Sequence, residues 1–469
     1  MNKATVETPA PNIAELEQKR QLIRAITAGS AAMRNATYLP KYPAEQEADY
    51  KARCERTFLD NFVDLAINKS VGKIFAKEIK TDKLPAETEK LLENIDRQGR
   101  ALDPFMMDVA NLAFQDGISY VMADMPRTDG VVTLADEKAL GVRPYAIHIK
   151  PQSVLEVLSE MINGVDTLTR VRIKECLQVP IAGEWGYSEI EQVRVWIREP
   201  TGLVRWELWR EIESAGKKEE WVKAEEAATT FKSIYLVPFY TNRTGFMLGA
   251  PPFQNIAEST LEHFQLKSDY QAALEMVCFG MFYATGVDSE FQMKVGPRQS
   301  LVATAPDAKF GVMETTGAAV TLSLEAIKAV ESRIETAGVD LRVENKNGVT
   351  ATAASIDSED TNASLKAIAQ GFSDSCELLF QYFAEMQNQP TESAGTAEFN
   401  TSFGVPSGTT AGLTSLDKAR ALGDISRVTY INELKRRGEI SADLDLEADA
   451  ELIDSEEPDL ATLTNTQTA

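Results

Sequence analysis

The residues that most often carry acid–base chemistry or bind metals are scarce in this sequence. Histidine occurs only at His148, inside the strand-like stretch "YAIHIKP", and at His263, in the middle of a helical pattern. Neither lies at metal-ligand spacing from a second histidine, and a single histidine on a helix is usually structural. The histidines therefore predict neither a metal centre nor a general base.

Two short motifs could belong to other kinds of site. "SVGKIF" contains Gly72 and Lys73 but lacks the first glycine and the Ser/Thr of a phosphate-binding loop. "GISYV" resembles a nucleophile elbow, except that Val121 replaces the second glycine. Neither motif predicts a catalytic site.

The acidic stretch "DSED" could in principle hold a divalent cation. Its carboxylates are Asp357, Glu359 and Asp360, and their spacing assembles no octahedral set of ligands. The absence of a nearby His or Lys argues against metal-assisted hydrolysis, although an intracellular hydrolase using these acids remains an alternative. We predict a solvated acidic face, no cofactor and no metal.

Composition places the chain among soluble globular proteins and limits its partners. The 469 residues are 43% hydrophobic and 25% charged, and the formal net charge is −23. This length predicts two or more connected regions, and the charge argues against a conventional basic nucleic-acid binder. The four cysteines are widely spaced, which predicts neither a disulfide framework nor a zinc site. No segment has the length and hydropathy of a membrane span.

The first half of the sequence alternates helical and strand patterns. Residues 1–42 are polar and contain three prolines, which predicts a flexible arm. Helices are expected from Phe58, over 85–95, and over 103–115 with Asp103 as N-cap and Pro104 as the first helical residue. "ISYVMAD" then predicts a buried strand.

An antiparallel sheet is predicted between about residues 143 and 238. "QVRVWIREPTGLVRWELWREI" alternates in polarity around a Pro-Thr-Gly turn, and "TLTRVRIKECLQV" reads as a further strand. All five tryptophans fall in this region, and cross-strand or core packing is the expected role of four of them: Trp196, Trp206, Trp209 and Trp221.

The second half predicts three helices separated by two irregular segments. A long helix is expected over 255–283, and a second, over 322–337, has Leu324, Ile327, Val330 and Ile334 on one face. A third helix has the strongest periodicity in the chain, with one apolar face made of Leu365, Ile368, Phe372, Cys376, Leu379, Phe383 and Met386.

This order of elements resembles the portal proteins of tailed bacteriophages, the ring-shaped connectors through which DNA enters and leaves the capsid. The resemblance covers most of the chain and rests on four segments in order. They are "LVPFYTNRTGFMLGAPPFQNIAESTLEHFQLKSDY", "AKFGVMETTGAAVTLSLEAIKAVESRIETAGVDL", "TATAASIDSEDTNASLKAIAQGFSDSCELLFQYFAEM" and "LGDISRVTYINELKRRGEISADLDLEADAELIDSE".

The resemblance implies an α+β portal-type fold in eight parts. These are an N-terminal arm (1–42), a mixed α/β wing (43–254), a first stem helix (255–284), a small α/β clip (285–320), a second stem helix (321–340), a tunnel loop (341–354), a long helix (355–389) and a helical C-terminal crown with an acidic tail (390–469).

The tunnel loop would project into the channel at its narrowest point. Its residue types suit turns, close packing and weak phosphate contact. The candidate residues are Arg342, Val343, Asn345, Lys346, Asn347, Gly348, Val349 and Thr350. An ordinary connection between two helices is the alternative.

Three acids on the second stem helix, Glu325, Glu331 and Glu335, recur close to one helical face. In a symmetric ring they would form bands of negative charge facing a passing duplex. A solvated helix face, or salt bridges that involve Lys328 and Arg333, remains an alternative.

The implied function is a homo-oligomeric ring, of twelve subunits by resemblance, without catalytic activity of its own. Double-stranded DNA would pass through it without sequence specificity. It would dock the packaging terminase, a head–tail adaptor and the major capsid or scaffolding protein at the capsid portal vertex, after assembly in the host cytoplasm. A non-pore capsid-assembly or scaffold protein is the closest alternative.

Overall fold

The computed structural model describes residues 5–126, 141–214, 217–279, 281–286, 307–313, 317–337, 351–403 and 410–437, with residues 440, 444, 448 and 449. The fold is α+β. The α-helices in these ranges are α1 (Pro11–Thr27), α2 (Ser30–Met33), α3 (Glu47–Arg56), α4 (Phe62–Ile74), α5 (Ala86–Leu92), α6 (Leu102–Asp116), α7 (Gln254–Phe279), α8 (Ala318–Thr336), α9 (Ala351–Met386), α10 (Thr410–Leu422) and α11 (Arg427–Arg437).

All the strand pairs within these ranges are antiparallel and lie in small sheets. The strands are β1 (Lys80–Asp82), β2 (Ile118–Asp124), β3 (Tyr145–Ile149), β4 (Val154–Ile162), β5 (Val165–Pro180), β6 (Tyr187–Arg198), β7 (Val204–Ser214), β8 (Lys217–Ala228), β9 (Leu236–Tyr240), β10 (Arg243–Gly245), β11 (Leu248–Gly249), β12 (Met281–Thr285), β13 (Lys309–Met313) and β14 (Thr396–Glu398). Their orders are β4-β5-β6-β7-β8, β3-β2-β9, β1-β14, β10-β11 and β12-β13.

Two compact units are distinguished. The first contains the described residues of Met1–Asn347 and Ala367–Phe399, and the second those of Gly348–Lys366 and Asn400–Ala469. In the second unit, α10 and α11 are joined by a hydrogen bond from Tyr430 Oη to Asp417 Oδ1 at 2.7 Å. Both helices lie within residues 390–469, where the resemblance implies a helical segment.

A principal core of the first unit is built from the three-stranded and five-stranded sheets. Tyr120 and Met122 of β2, Val171 of β5 and Trp206 of β7 belong to one buried cluster. Trp196 and Trp206 face each other across β6 and β7. The core role predicted for the tryptophans is confirmed, since Trp209 and Trp221 pack on a second cluster around Val193 and Val195.

The junction of α6 and β2 requires a glycine. Gly117 ends α6 with a φ of +88°, and its carbonyl accepts hydrogen bonds from the backbone N–H groups of Thr241 and Asn242, both at 3.1 Å. A Cβ at this position would lie 2.0 Å from the carbonyl oxygen of Ala250. The backbone approach and the left-handed conformation both exclude a side chain here.

Helix α6 begins two residues earlier than expected. Its N-cap is Ala101, so Asp103 and Pro104 lie inside the first turn. The Asp103 carboxylate instead accepts a hydrogen bond from Ile79 N at 2.9 Å. A side chain predicted to cap its own helix therefore holds the neighbouring chain segment.

The segment expected to be a flexible arm contains an ordered helix. Helix α1 begins with Pro11 and buries an apolar stripe made of Ile13, Leu16, Ile23 and Ile26. Arg20, only 1% exposed, donates from Nε to Asp116 O at 3.0 Å and from Nη2 to Gly249 O at 2.8 Å. The prediction overlooked this helix because prolines and polar residues flank a stripe with helical spacing.

Candidate functional site

Helices α7 and α8 form an antiparallel pair. Near one end, Arg333 Nη1 on α8 donates to Glu262 Oε2 on α7 at 2.7 Å. The same end holds a polar cleft of about 640 Å³, lined by Asn255 and Glu258 at the start of α7 and by Thr336 and Ala337 at the end of α8. Residue numbers thus rise along α7 while they fall along α8.

A two-stranded sheet continues the pair beyond the other end. Strand β12 follows α7 and β13 precedes α8, and they pair in continuous register from Met281 opposite Met313 to Thr285 opposite Lys309. The first predicted stem helix therefore ends earlier than expected, because residues 281–285 are extended. The rest of the predicted clip, apart from residues 286, 307, 308 and 317–320, lies outside the described residues.

Helix α8 packs through the apolar stripe that its sequence predicts. Ile327, Val330 and Ile334 are buried, whereas Leu324, the fourth residue of the predicted stripe, is exposed. On α7 the buried face also contains polar side chains, namely Ser259, Thr260, His263 and Ser268. A buried polar face needs hydrogen-bond partners on its neighbours, so α7 depends on specific contacts.

His263 lies where three elements meet. Its side chain is 2% exposed, with Nε2 3.4 Å from Glu331 Oε1 on α8 and Nδ1 3.8 Å from Asp60 Oδ2 before α4. Its ring packs edge-on against Phe62 of α4, with centroids 5.1 Å apart. The Asp60 carboxylate also pairs with Lys267 of α7. These contacts hold α7 between α8 and the start of α4.

A buried ion pair fixes the middle of α7 to the preceding chain. Arg53 of α3 donates to Glu45 from Nε at 2.7 Å and from Nη2 at 2.8 Å, while its Nη1 donates to Ser268 Oγ on α7 at 3.3 Å. The hydrogen bonds from Arg53 hold the pKa of the Glu45 carboxyl below its usual value. The guanidinium also stacks on Tyr42, at 4.1 Å from the ring centroid.

The three predicted channel acids differ in exposure and in contacts. Glu325 is exposed, Glu331 faces His263 and Glu335 is partly buried. At roughly 100° per residue, Glu331 and Glu335 share one face, whereas Glu325 lies about 80–120° away from them. Arg333 pairs within the chain, with Glu262. The acids thus do not form one row, and their predicted role in a channel stays a prediction.

The predicted tunnel-loop residues, Arg342 to Thr350, lie outside the described residues. Residues 351–354, which we assigned to the end of the loop, belong to α9. The apolar face predicted for the following helix is confirmed. Among its members Phe372, Cys376, Leu379 and Phe383 are fully buried, and Ile368 is partly exposed.

Among the described residues, Ser119 and His148 form a pair that could suggest nucleophilic catalysis. Ser119 Oγ and His148 Nε2 are 2.8 Å apart on paired strands β2 and β3. Ser119 is fully buried, and burial lowers the pKa of His148 to about 4. A nucleophile that no substrate can reach does not catalyse, so this hydrogen bond is structural.

Two further properties concern only the part of the chain that the structure describes. There, no group of three or more His, Cys, Asp or Glu side chains could hold a metal ion. No helix in it is long and apolar enough to cross a membrane.

Sequence reasoning missed the residues that hold α7 in place. Arg53 and Asp60 contact side chains more than 200 positions away, and pairing at that separation leaves no local pattern. One sequence feature could have indicated these contacts. Polar side chains recur at helical spacing on the buried face of α7, namely Ser259, Thr260, His263 and Ser268.

Comparison with known proteins gives one partial family match. Residues 252–387 match a family described as a domain of unknown function, DUF4055. The match covers less than half of the chain and includes α7, α8 and all of α9. No curated protein matches the sequence.

Solved structures similar to the chain come from a gene transfer agent (GTA) particle. A chain of the neck of the native particle, computed with C12 symmetry, has a TM-score of 0.37 at 10% identity, covering 80% of this chain and 89% of that one. A chain of the empty particle's neck, computed with C6 symmetry, has a TM-score of 0.35 at 10% identity, over 86% and 90%. A chain of the native virion has a TM-score of 0.33 at 10% identity, over 92% and 99%. These TM-scores and sequence identities are too low to support an assignment of function.

Proposed function

We propose that this protein is a phage portal protein, a subunit of a ring whose central channel conducts double-stranded DNA into and out of a capsid. The observation that carries the proposal is the antiparallel pair of α7 and α8, extended by β12 and β13. A helix pair with a β-extension at one end fits the stem and clip that the sequence resemblance implies.

The charge distribution is compatible with conduction of DNA. A chain with a net charge of −23 does not grip phosphates strongly, so a duplex surrounded by many copies would stay mobile. Exposed Glu325 is the acid on α8 best placed to face a channel, because Glu331 is engaged with His263 and Glu335 is partly buried.

In this proposal residues 341–354 form the constriction of the channel or lie next to it. Arg342 and Lys346 would make weak, salt-sensitive contacts with phosphates, and Asn347 and Gly348 would provide the turn. The ring would have twelve subunits, as the resemblance implies.

The ring would have no catalytic activity and would serve as a docking platform. A packaging terminase, which supplies ATP hydrolysis, and later a head–tail adaptor would bind at the clip end. The wing would contact the major capsid or scaffolding protein. The protein would therefore reside at the portal vertex of the virion.

The assembly state of purified protein tests this proposal. We expect mass photometry and negative-stain microscopy to show closed rings with a central hole. A stable monomer with turnover that depends on a divalent cation would instead indicate a hydrolase. Closed assemblies without a hole would indicate a capsid-assembly or scaffold protein, and either result overturns the proposal.

A further inference from the structure

A two-stranded arm protrudes from the five-stranded sheet. Strand β4 pairs with β5 only as far as Ile173, and β7 pairs with β6 only from Gln192. After Ile173 of β5 and before Gln192 of β6, these two strands pair only with each other. Their last pair is Pro180 opposite Tyr187. An isolated two-stranded ribbon is marginally stable in water, so this arm gains stability from a surface that covers it.

The arm carries a concentration of exposed apolar side chains. Trp185, in the turn, is fully exposed (103%) and Tyr187 is 66% exposed. The other exposed apolar residues of the arm are Leu177, Val179, Ile181 and Ile190. Tryptophan and tyrosine anchor many protein interfaces, where they fill pockets on the partner.

An apolar cleft lies at the opposite end of β5. Its volume is about 310 Å³, and it lies between the start of β5, the β9–β11 segment and α9. The apolar lining is Leu168, Ile234, Leu236, Pro238, Tyr240, Phe246, Met247, Leu378 and Tyr382. Asp166, Thr167, Ser233 and Arg243 complete the wall.

We propose that Trp185 of one copy of this chain occupies the cleft of a neighbouring copy. Asp166 and Pro180 lie near the two ends of β5, roughly 45 Å apart at the rise of a strand, so the arm cannot fold back into its own cleft. A tip and a cleft at opposite ends of one strand make a head-to-tail contact, which generates a ring when the rotation closes. The inference rests on the proposed ring and identifies one of its interfaces.

Polar groups at both surfaces are complementary. A buried indole needs an acceptor for its N–H, and Asp166, Thr167 and Ser233 supply acceptor oxygens in the cleft wall. Next to the tryptophan, Glu184 is exposed, and the cleft contains the exposed Arg243, stacked on Tyr240 with its guanidinium 5.2 Å from the ring centroid. The arm from Glu175 to Val193 contains no Lys or Arg, so it would bring only acids to that arginine.

Concentration-dependent assembly measured by mass photometry tests the contact. We expect Trp185→Ala and the cleft-filling Ser233→Trp each to raise the concentration needed for assembly at least tenfold, as expected for loss of an interface anchor. Leu203→Ala, which truncates an exposed apolar residue in another turn of the same sheet, is the matched control and should assemble as the wild type does. Glu184→Arg and Arg243→Glu should each weaken assembly, and the double variant should recover part of the loss.

Photo-crosslinking locates the contact directly. With p-benzoylphenylalanine in place of Trp185, crosslinks between copies should map to the segments containing Phe246 or Tyr382. If the wild type forms rings while Trp185→Ala assembles equally well, or the crosslinks map elsewhere, this inference is overturned and the proposed function stands. A wild-type protein that forms no rings overturns the proposed function, and this inference with it.

Discussion

The imidazole of His263 on α7 lies 3.4 Å from the carboxylate of Glu331 on α8, in a site that excludes solvent from the histidine almost completely. Through Asp60 and Phe62, the same side chain reaches the start of α4. One buried residue therefore ties the two helices of the proposed stem to the body of the first unit. The channel wall that we propose thus depends on side-chain contacts with the N-terminal region.

Replacement of His263 by alanine should destabilise the protein by about 2–5 kcal/mol, because it leaves a cavity and removes a contact shared by three elements. Urea denaturation followed by circular dichroism measures this change. Lys328→Ala, an exposed substitution on α8, is the control and should stay within about 0.5 kcal/mol of the wild type. Equal midpoints for the two variants would show that His263 does not hold the helices together.

Stability should fall in acid partly because of His148. Burial lowers the pKa of this side chain from the ordinary 6.5 to about 4, so between these values the unfolded chain binds the proton and the folded chain does not. The stability due to neutral His148 is complete above pH 6.5 and is lost as the pH falls towards 4. The loss amounts to at most about 3 kcal/mol.

The variant His148→Gln isolates this contribution, because it cannot titrate and can still hydrogen-bond with Ser119. We expect the difference in unfolding free energy between pH 7 and pH 4.5 to be smaller in the variant than in the wild type. Identical pH dependences in urea denaturation would contradict the assignment.

Two glycines with similar φ angles should respond very differently to alanine. Gly117 and Gly183 have φ values of +88° and +82°, but only Gly117 faces a backbone wall, formed by Ala250. Gly183→Ala should cost about 1–2 kcal/mol, from the left-handed conformation alone. Gly117→Ala should cost more than that or prevent folding. Thermal melts and the yield of soluble protein compare them, and similar losses would mean that the Ala250 contact relaxes easily.

Deletion of Asn345 to Thr350 should leave the ring intact and impair DNA packaging or retention, because α7 and α8 pack without this segment. Ring formation is checked by microscopy, and packaged DNA by nuclease protection in assembled heads. A Gly/Ser segment of equal length in its place is the control that separates the length of the loop from its side chains. Unchanged packaging after the deletion would refute the tunnel-loop role.

Local patterns were sufficient to predict α8 and the hairpin of β6 and β7. The spacing of Ile327, Val330 and Ile334 predicted the buried stripe of α8, and the alternation around Pro200 to Gly202 predicted the hairpin of β6 and β7. These features depend on residues that are neighbours along the chain, where periodicity is informative.

The features that sequence reasoning missed depend on distant residues. Arg20 is buried because it donates to the carbonyls of Asp116 and Gly249, and no pattern in residues 1–42 indicates those partners. Likewise, the exposed Trp185 was not singled out from the other tryptophans, because only the lengths of the neighbouring strands show that the arm protrudes.

A symmetric cryo-electron microscopy reconstruction of the purified assembly tests the central claim most directly. We predict a closed ring in which α7 and α8 are the helices nearest the symmetry axis and Glu325 faces the hole. An assembly in which these two helices lie on the outer surface, remote from any axis, would contradict the account.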